Sequence, residues 1–161
     1  MMKEGYKQTE VGVIPEDWEV KNILKSSTLK ARIGWQGLTT AEYLKTGEYL
    51  LVTGTDFANG KINWESCNYV DRKRFVQDKN IQIRSSDILI TKDGTIGKIA
   101  FINNLPLPGT LNSGVFVIRP INKSYLPVYC FYIFCSYYFE DFLRQLVAGS
   151  TINHLYQKDF I

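Results

Sequence analysis

A chain of 161 residues with 45% apolar and 22% charged side chains has the size and composition of one folded domain with a substantial core. Its formal charge of +3 is far from a histone-like balance, and its longest uncharged apolar stretch, residues 125–139, is too short to span a bilayer and contains Pro127 and Ser136. Cys67, Cys130 and Cys135 form no CxxC pair and lie far from the one histidine, His154, so zinc spacing is excluded and the thiols read as reduced, mostly buried side chains of a cytoplasmic protein.

In chain order, residues 1–18 read as a polar lead-in, with Trp18 a core anchor. Residues 20–24 form a short apolar segment of either type. Residues 26–40 read as a loop in which Lys30 and Arg32 precede Gly34-Trp35-Gln36-Gly37. Tyr49–Val52 suits a buried strand, and Asn59-Gly60 a turn with positive φ before a return strand at 61–64. Residues 71–79 predict a short exposed helix or turn. Residues 81–83 continue the sheet, and 114–119 supply another strand that Pro120 ends. Ser124 is placed to cap a helix starting near Pro127, and Gly149 is a natural stop. Between them lies one long helix or two broken near Ser136. Tyr129, Tyr132, Tyr137 and Tyr138, at helical spacing, read as packing rather than as a base-stacking platform. The fold class is α+β, a mixed, curved sheet with C-terminal helices packed on it.

The most informative segment is 87–101. Ile88, Leu89 and Ile90 anchor one strand, Ile99, Ala100 and Phe101 a second, and Lys92, Asp93, Thr95 and Lys98 crowd a turn punctuated by Gly94 and Gly97. Such an edge suits a phosphate backbone better than a small apolar ligand. It is not a nucleotide-binding P-loop, because Lys92 stands where that pattern needs glycine and Ile99 where it needs Ser or Thr.

Other candidate binding groups also sit at glycine-marked loops. Arg32 and Gln36, with Lys30, surround Gly34 and Gly37; Asn112 and Ser113 lie between Gly109 and Gly114; Ser150, Thr151, Asn153 and His154 follow Gly149. Forked or amide ends read base edges, whereas lysines and hydroxyls hold phosphate. This divides the set: Arg32 and Gln36 for reading, Lys92 and Lys98 for gripping. Ser150, Thr151 and Asn153 are expected at the surface beside the Gly94–Lys98 turn. The charge distribution agrees mildly, since residues 1–20 carry two lysines against five acids and residues 21–50 five basic groups against two acids.

No catalytic centre is recognisable. A Mg²⁺-dependent nuclease would have to use Asp56, Asp71 and Lys73, yet Asp71 to Arg74 is a polar run rather than a rigid strand. No nucleophile elbow, methyl-donor loop or base-gripping Asn-Pro-Pro-Tyr run occurs.

The opening Val11-Gly-Val-Ile-Pro-Glu-Asp-Trp-Glu-Val20, then Gly54-Thr-Asp-Phe-Ala-Asn-Gly-Lys-Ile62, the 87–101 segment and Ala148-Gly-Ser-Thr-Ile-Asn-His-Leu155, in that order, resemble a target recognition domain from the specificity subunit of a type I restriction–modification system. The resemblance implies the same α+β fold and a single recognition domain over 1–161, without the family's spacer helix and second domain. It implies a non-catalytic module that reads one half of a split double-stranded DNA target. Methyltransferase subunits, and through them the restriction subunit, would be its partners; S-adenosylmethionine and ATP would be bound by those partners, leaving this chain without a cofactor. The rivals are the Mg²⁺ nuclease and a DNA-independent mimic that binds methyltransferase subunits.

Overall fold

A computed structural model describes residues 4–148 and 154–160. In chain order the elements are β1 (Tyr6–Thr9), β2 (Gly12–Pro15), α1 (Ile23–Ser26), β3 (Ser27–Lys30), β4 (Tyr49–Val52), β5 (Phe57–Ala58), β6 (Lys61–Ile62), β7 (Asn68–Val70), α2 (Arg72–Val76), β8 (Ile88–Thr91), β9 (Ile99–Phe101), β10 (Gly109–Leu111), β11 (Val115–Pro120), α3 (Pro127–Phe134) and α4 (Tyr137–Ala148). Single 3₁₀ turns occur at Gly34–Gln36, Thr40–Glu42, Gly54–Asp56, Lys79–Ile81 and Gln157–Phe160.

The strands divide between two main sheets and two small hairpins. An antiparallel sheet runs β3-β11-β8-β9, and a mixed sheet runs β10-β4-β7 with β10 parallel to β4. Strands β8 and β11 show why their sequences lack polar alternation. Successive side chains point to opposite faces, and both faces are covered. Leu89, Val115 and Val117 pack with Leu50, Val52 and Leu111 of the mixed sheet, while Ile88, Ile90, Phe116 and Ile118 pack with Cys130, Phe134 and Phe139 of the helices. The result is sheet, sheet, helices: the α+β class with helices over a sheet.

At the start of β8, Asp87 takes a two-pronged ion pair from Arg119 of β11, with Nε to Oδ1 at 2.6 Å and Nη2 to Oδ2 at 2.7 Å. The same guanidinium donates to the carbonyls of Asn80 and Gln82, so the buried carboxylate and its partner are closely matched. This clasp locks the end of β8 opposite the Lys92 turn.

Several local expectations are corrected. Residues 1–18 contain the β1–β2 hairpin, with Tyr6 paired to Pro15. Trp18 is exposed rather than a core anchor, meeting Tyr129 edge-on at 5.7 Å. Part of the stretch read as loop is β3, which pairs with β11 from Lys30–Val117 to Ser27–Pro120. The helix at Pro127 has Leu126 at its N-cap with no side-chain cap, since the Ser124 hydroxyl donates instead to the Ser26 carbonyl. The break near Ser136 is real, with Cys135 the last residue of α3's turn. Tyr129, Tyr132, Tyr137 and Tyr138 are all exposed; Cys130, Phe134 and Phe139 do the packing. Cys67 and Cys130 are buried and Cys135 is exposed. Among the described residues no helix is long and apolar enough to cross a membrane.

Candidate nucleic-acid interface

The parallel pair β4 and β10 ends at Val52 and Leu111, and the antiparallel pairings put the end of β8 and the end of β3 beside the start of β11. Four loops therefore leave the two sheets at one end. Their backbones are stitched together. Asn112 N–H donates to Val52 at 2.9 Å, Lys92 N–H to Gly114 at 2.9 Å, and Leu155 N–H to Lys92 at 2.8 Å. The sequence scatters Lys30, Arg32, Gln36, Lys92, Asn112, Ser113 and His154 over more than a hundred positions, and the topology gathers them there.

Their roles differ from the expected division. Arg32, expected to read base edges from an exposed loop, is 2% exposed. Its Nε donates to the Leu111 carbonyl at 2.9 Å, Nη2 to Thr110 Oγ1 at 3.1 Å and Nη1 to Gln77 Oε1 at 3.1 Å. Burial, then the nearby Arg74, pulls its pKa below the ordinary value. The guanidinium bolts the 31–37 loop onto β10 and α2, so it cannot present its fork to a groove. Gln36 is 8% exposed, and its Oε1 is buried with no hydrogen-bond partner. Both residues lie beneath the surface.

Lys92 is corrected in the same way. Its side chain is 12% exposed, with Nζ 3.1 Å from His154 Nε2, 3.5 Å from Asp93 Oδ2 and 5.7 Å from the centre of the Phe116 ring. His154 Nδ1 contacts Asp93 Oδ1. One tautomer satisfies both contacts, with the proton on Nδ1 donated to the carboxylate and Nε2 accepting from the ammonium. Lys92 thus fastens His154 to the turn, with its ammonium engaged inside the fold.

The turn itself is built on Thr91. Its hydroxyl donates to the Thr95 carbonyl at 2.6 Å and accepts from Lys98 N–H at 2.9 Å, closing the loop from inside. Thr95 is exposed and Lys98 half-buried. Gly94 and Gly97 both take left-handed φ, at +66° and +83°. Lys30 is exposed at the end of β3. Asn112 and Ser113 are half-buried; Asn112 Nδ2 donates to the Tyr43 hydroxyl at 2.8 Å, and its Oδ1 is buried without a partner. Ser150, Thr151 and Asn153 lie outside the described residues, while His154, next to them, is at the turn.

Sequence reasoning gives three residues here no role in the site. Trp35 is 79% exposed on the Gly34–Gln36 turn. Tyr43 supports Asn112, and burial raises its pKa. Asp93 joins Lys92 to His154. Trp35 leaves a signal, a lone large aromatic between two glycines in a polar stretch, and Asp93 leaves one in its place at the glycine turn.

The nuclease constellation does not form. Asp56 is 2% exposed and fully engaged: Oδ2 accepts from the Thr53 N–H at 2.7 Å and hydroxyl at 2.8 Å, and Oδ1 from the Ser66 hydroxyl at 2.9 Å. It caps the turn after β4. Asp71 caps α2 through the Arg74 N–H at 2.8 Å, and Lys73 stands exposed on that helix. Among the described residues no group of three or more His, Cys, Asp or Glu is placed to hold a metal ion.

A family model described as the type I restriction modification DNA specificity domain matches residues 15–161. The type I restriction enzyme MjaVIII specificity subunit of Methanocaldococcus jannaschii is 25% identical, over 91% of this chain and 35% of that protein. The MjaIX specificity subunit of the same organism is 28% identical, over 93% and 34%. Among solved structures, the HsdS subunit from Thermoanaerobacter tengcongensis superposes with a TM-score of 0.60 at 14% identity, over 98% of this chain and 34% of that one. A chain solved in work on complex assembly and conformational transition of the type I R-M system gives a TM-score of 0.64 at 17% identity, over 91% and 33%. At those identities the structural likeness speaks for the fold. The chain spans about a third of the length of these proteins.

Proposed function

The chain belongs to the type I restriction modification DNA specificity domain family, and from that premise we propose that it is a sequence-specific module for double-stranded DNA that reads one half of a split target. It binds without catalysis of its own, and in a complete cytoplasmic assembly it directs methyltransferase subunits and, through them, the restriction subunit. The observation that carries the reading is the convergence of four loops on one end of the sheets, bearing Lys30, Thr95, Lys98 and Ser113, with His154 of the C-terminal segment bridged to the β8 turn. Lys30 and Lys98 supply phosphate contacts, with Thr95 and Ser113 as hydroxyl partners. Ser150, Thr151 and Asn153 keep their proposed place in the interface, next in sequence to His154. Arg32, Gln36 and Lys92 hold the loops that make contact.

Selection of bound sites from a random duplex library, with Mg²⁺ present and across a salt series, tests this. The expected result is one enriched short sequence, uncut, with affinity that falls as salt rises. No retained duplex even at low salt would overturn it. Metal-dependent cleavage would favour the nuclease, and capture of methyltransferase subunits without duplex affinity would favour the mimic.

A further inference from the structure

We propose that Trp35, with Ile33 beside it, is an apolar wedge that this domain sets against the base stack of the DNA it reads; the inference rests on the DNA-recognition reading above. Singly exposed apolar side chains are ordinary, so the argument lies in the seat. Trp35 is the most exposed large hydrophobic among the described residues at 79%, and Ile33, two residues earlier, is 53% exposed. The backbone under them is held tightly. Gln36 N–H donates to the Ile33 carbonyl at 2.8 Å and Gly37 N–H to Gly34 at 3.0 Å. A Cβ on Gly37 would stand 2.9 Å from the Gly34 oxygen, so the turn closes this tightly only around glycine. Directly before it, buried Arg32 fixes the chain at three points. An indole raised on a fixed turn loses little freedom when it binds.

The surroundings favour nucleic acid over a protein partner. The turn that bears Trp35 follows Lys30, exposed at the end of β3, and Arg32 beside it reaches Gln77 at the end of α2, the helix that carries exposed Arg72 and Lys73. Cations on the elements that adjoin a protruding apolar side chain suit an arrangement in which phosphates are gripped nearby and the side chain partly unstacks a base step. The turn also belongs to the end of the sheets where the other DNA-facing loops gather.

The test uses the 161-residue chain with the duplex it selects, labelled with 2-aminopurine one position at a time. Wild type is expected to raise fluorescence at one step as that base unstacks. Trp35→Ala should abolish the rise and weaken binding roughly tenfold or more, with Trp35→Phe in between and thermal melts unchanged. If Trp35→Ala left affinity, selected sequence and the 2-aminopurine signal as in wild type, the wedge would be wrong while recognition stood. A loss of affinity with the unstacking signal intact would likewise overturn it. Wild type that binds no duplex overturns the recognition reading itself, and the wedge with it.

Discussion

Gly97 lies directly under Leu143: a Cβ built on the glycine would collide with Leu143 Cδ1, and its φ of +83° is left-handed. Helix α4 therefore rests on the Lys92–Lys98 turn, and the glycine is needed there twice over. Gly94, three residues earlier, has φ +66° but nothing within 4 Å of its would-be Cβ. Gly94→Ala should cost only the left-handed penalty of about 1 kcal/mol, whereas Gly97→Ala adds overlap and should cost more than about 2 kcal/mol. Urea unfolding of the two variants checks the order; equal losses would show that Leu143 yields freely.

Arg32→Ala should act on stability rather than on sequence preference. It leaves the Leu111 carbonyl and the Thr110 hydroxyl without that donor in a buried place, while exposed Gln77 keeps its bond from Arg74, a loss of about 3 kcal/mol. Arg32→Lys should rescue little, because one ammonium cannot replace three donors fixed in a plane. Urea midpoints measure both. A stable Arg32→Ala protein with an altered target would restore the base-reading role that its burial argues against.

What the sequence revealed, and what it hid, follows from where each signal lies. Strands β8 and β9 were legible because Ile88-Leu89-Ile90 and Ile99-Ala100-Phe101 flank glycines, a local pattern. Strand β3 was hidden because Ser27-Thr28-Leu29-Lys30 is a four-residue edge strand with one apolar side chain. Arg32 and Lys92 were misread because a cation beside glycines looks exposed, and only tertiary pairing supplies Leu111 or His154 as a partner. The convergence of loops was invisible for the same reason: it depends on β10 lying parallel to β4, which no local pattern encodes. The exposed tyrosines of α3 and α4 failed differently. Apolar residues crowd every face of α3, so periodicity could not say which face is inward.

The three thiols should differ in reactivity. Burial pushes Cys67 up to about 12 and Cys130 to about 11, so both stay protonated and unreactive near neutral pH. Cys135 is exposed, with a smaller upward shift from partial burial. A thiol reagent at pH 8 is expected to label Cys135 alone in the folded protein and all three in denaturant. Rapid labelling of Cys67 under native conditions would contradict the core placement.

The two lysines of the turn offer the sharpest separation. Lys92 is mostly buried against His154, Asp93 and Phe116, while Lys98 contributes its backbone N–H to Thr91 and its ammonium makes no hydrogen bond or ion pair among the described residues. Lys98→Ala should therefore leave the urea midpoint in place, weaken binding to every duplex similarly and flatten the dependence of log affinity on log salt by about one unit, the signature of one lost phosphate contact. Lys92→Ala should lower the midpoint first, since it strips His154 Nε2 of its donor and leaves Asp93 with one partner fewer. Its effect on the salt slope should be small, because a side chain already committed inside the fold displaces no counterions from DNA. Binding isotherms at several salt concentrations, set beside unfolding curves, read both quantities. A flattened slope for Lys92→Ala with unchanged stability would return that lysine to the DNA surface and show that its contact with His154 opens on binding.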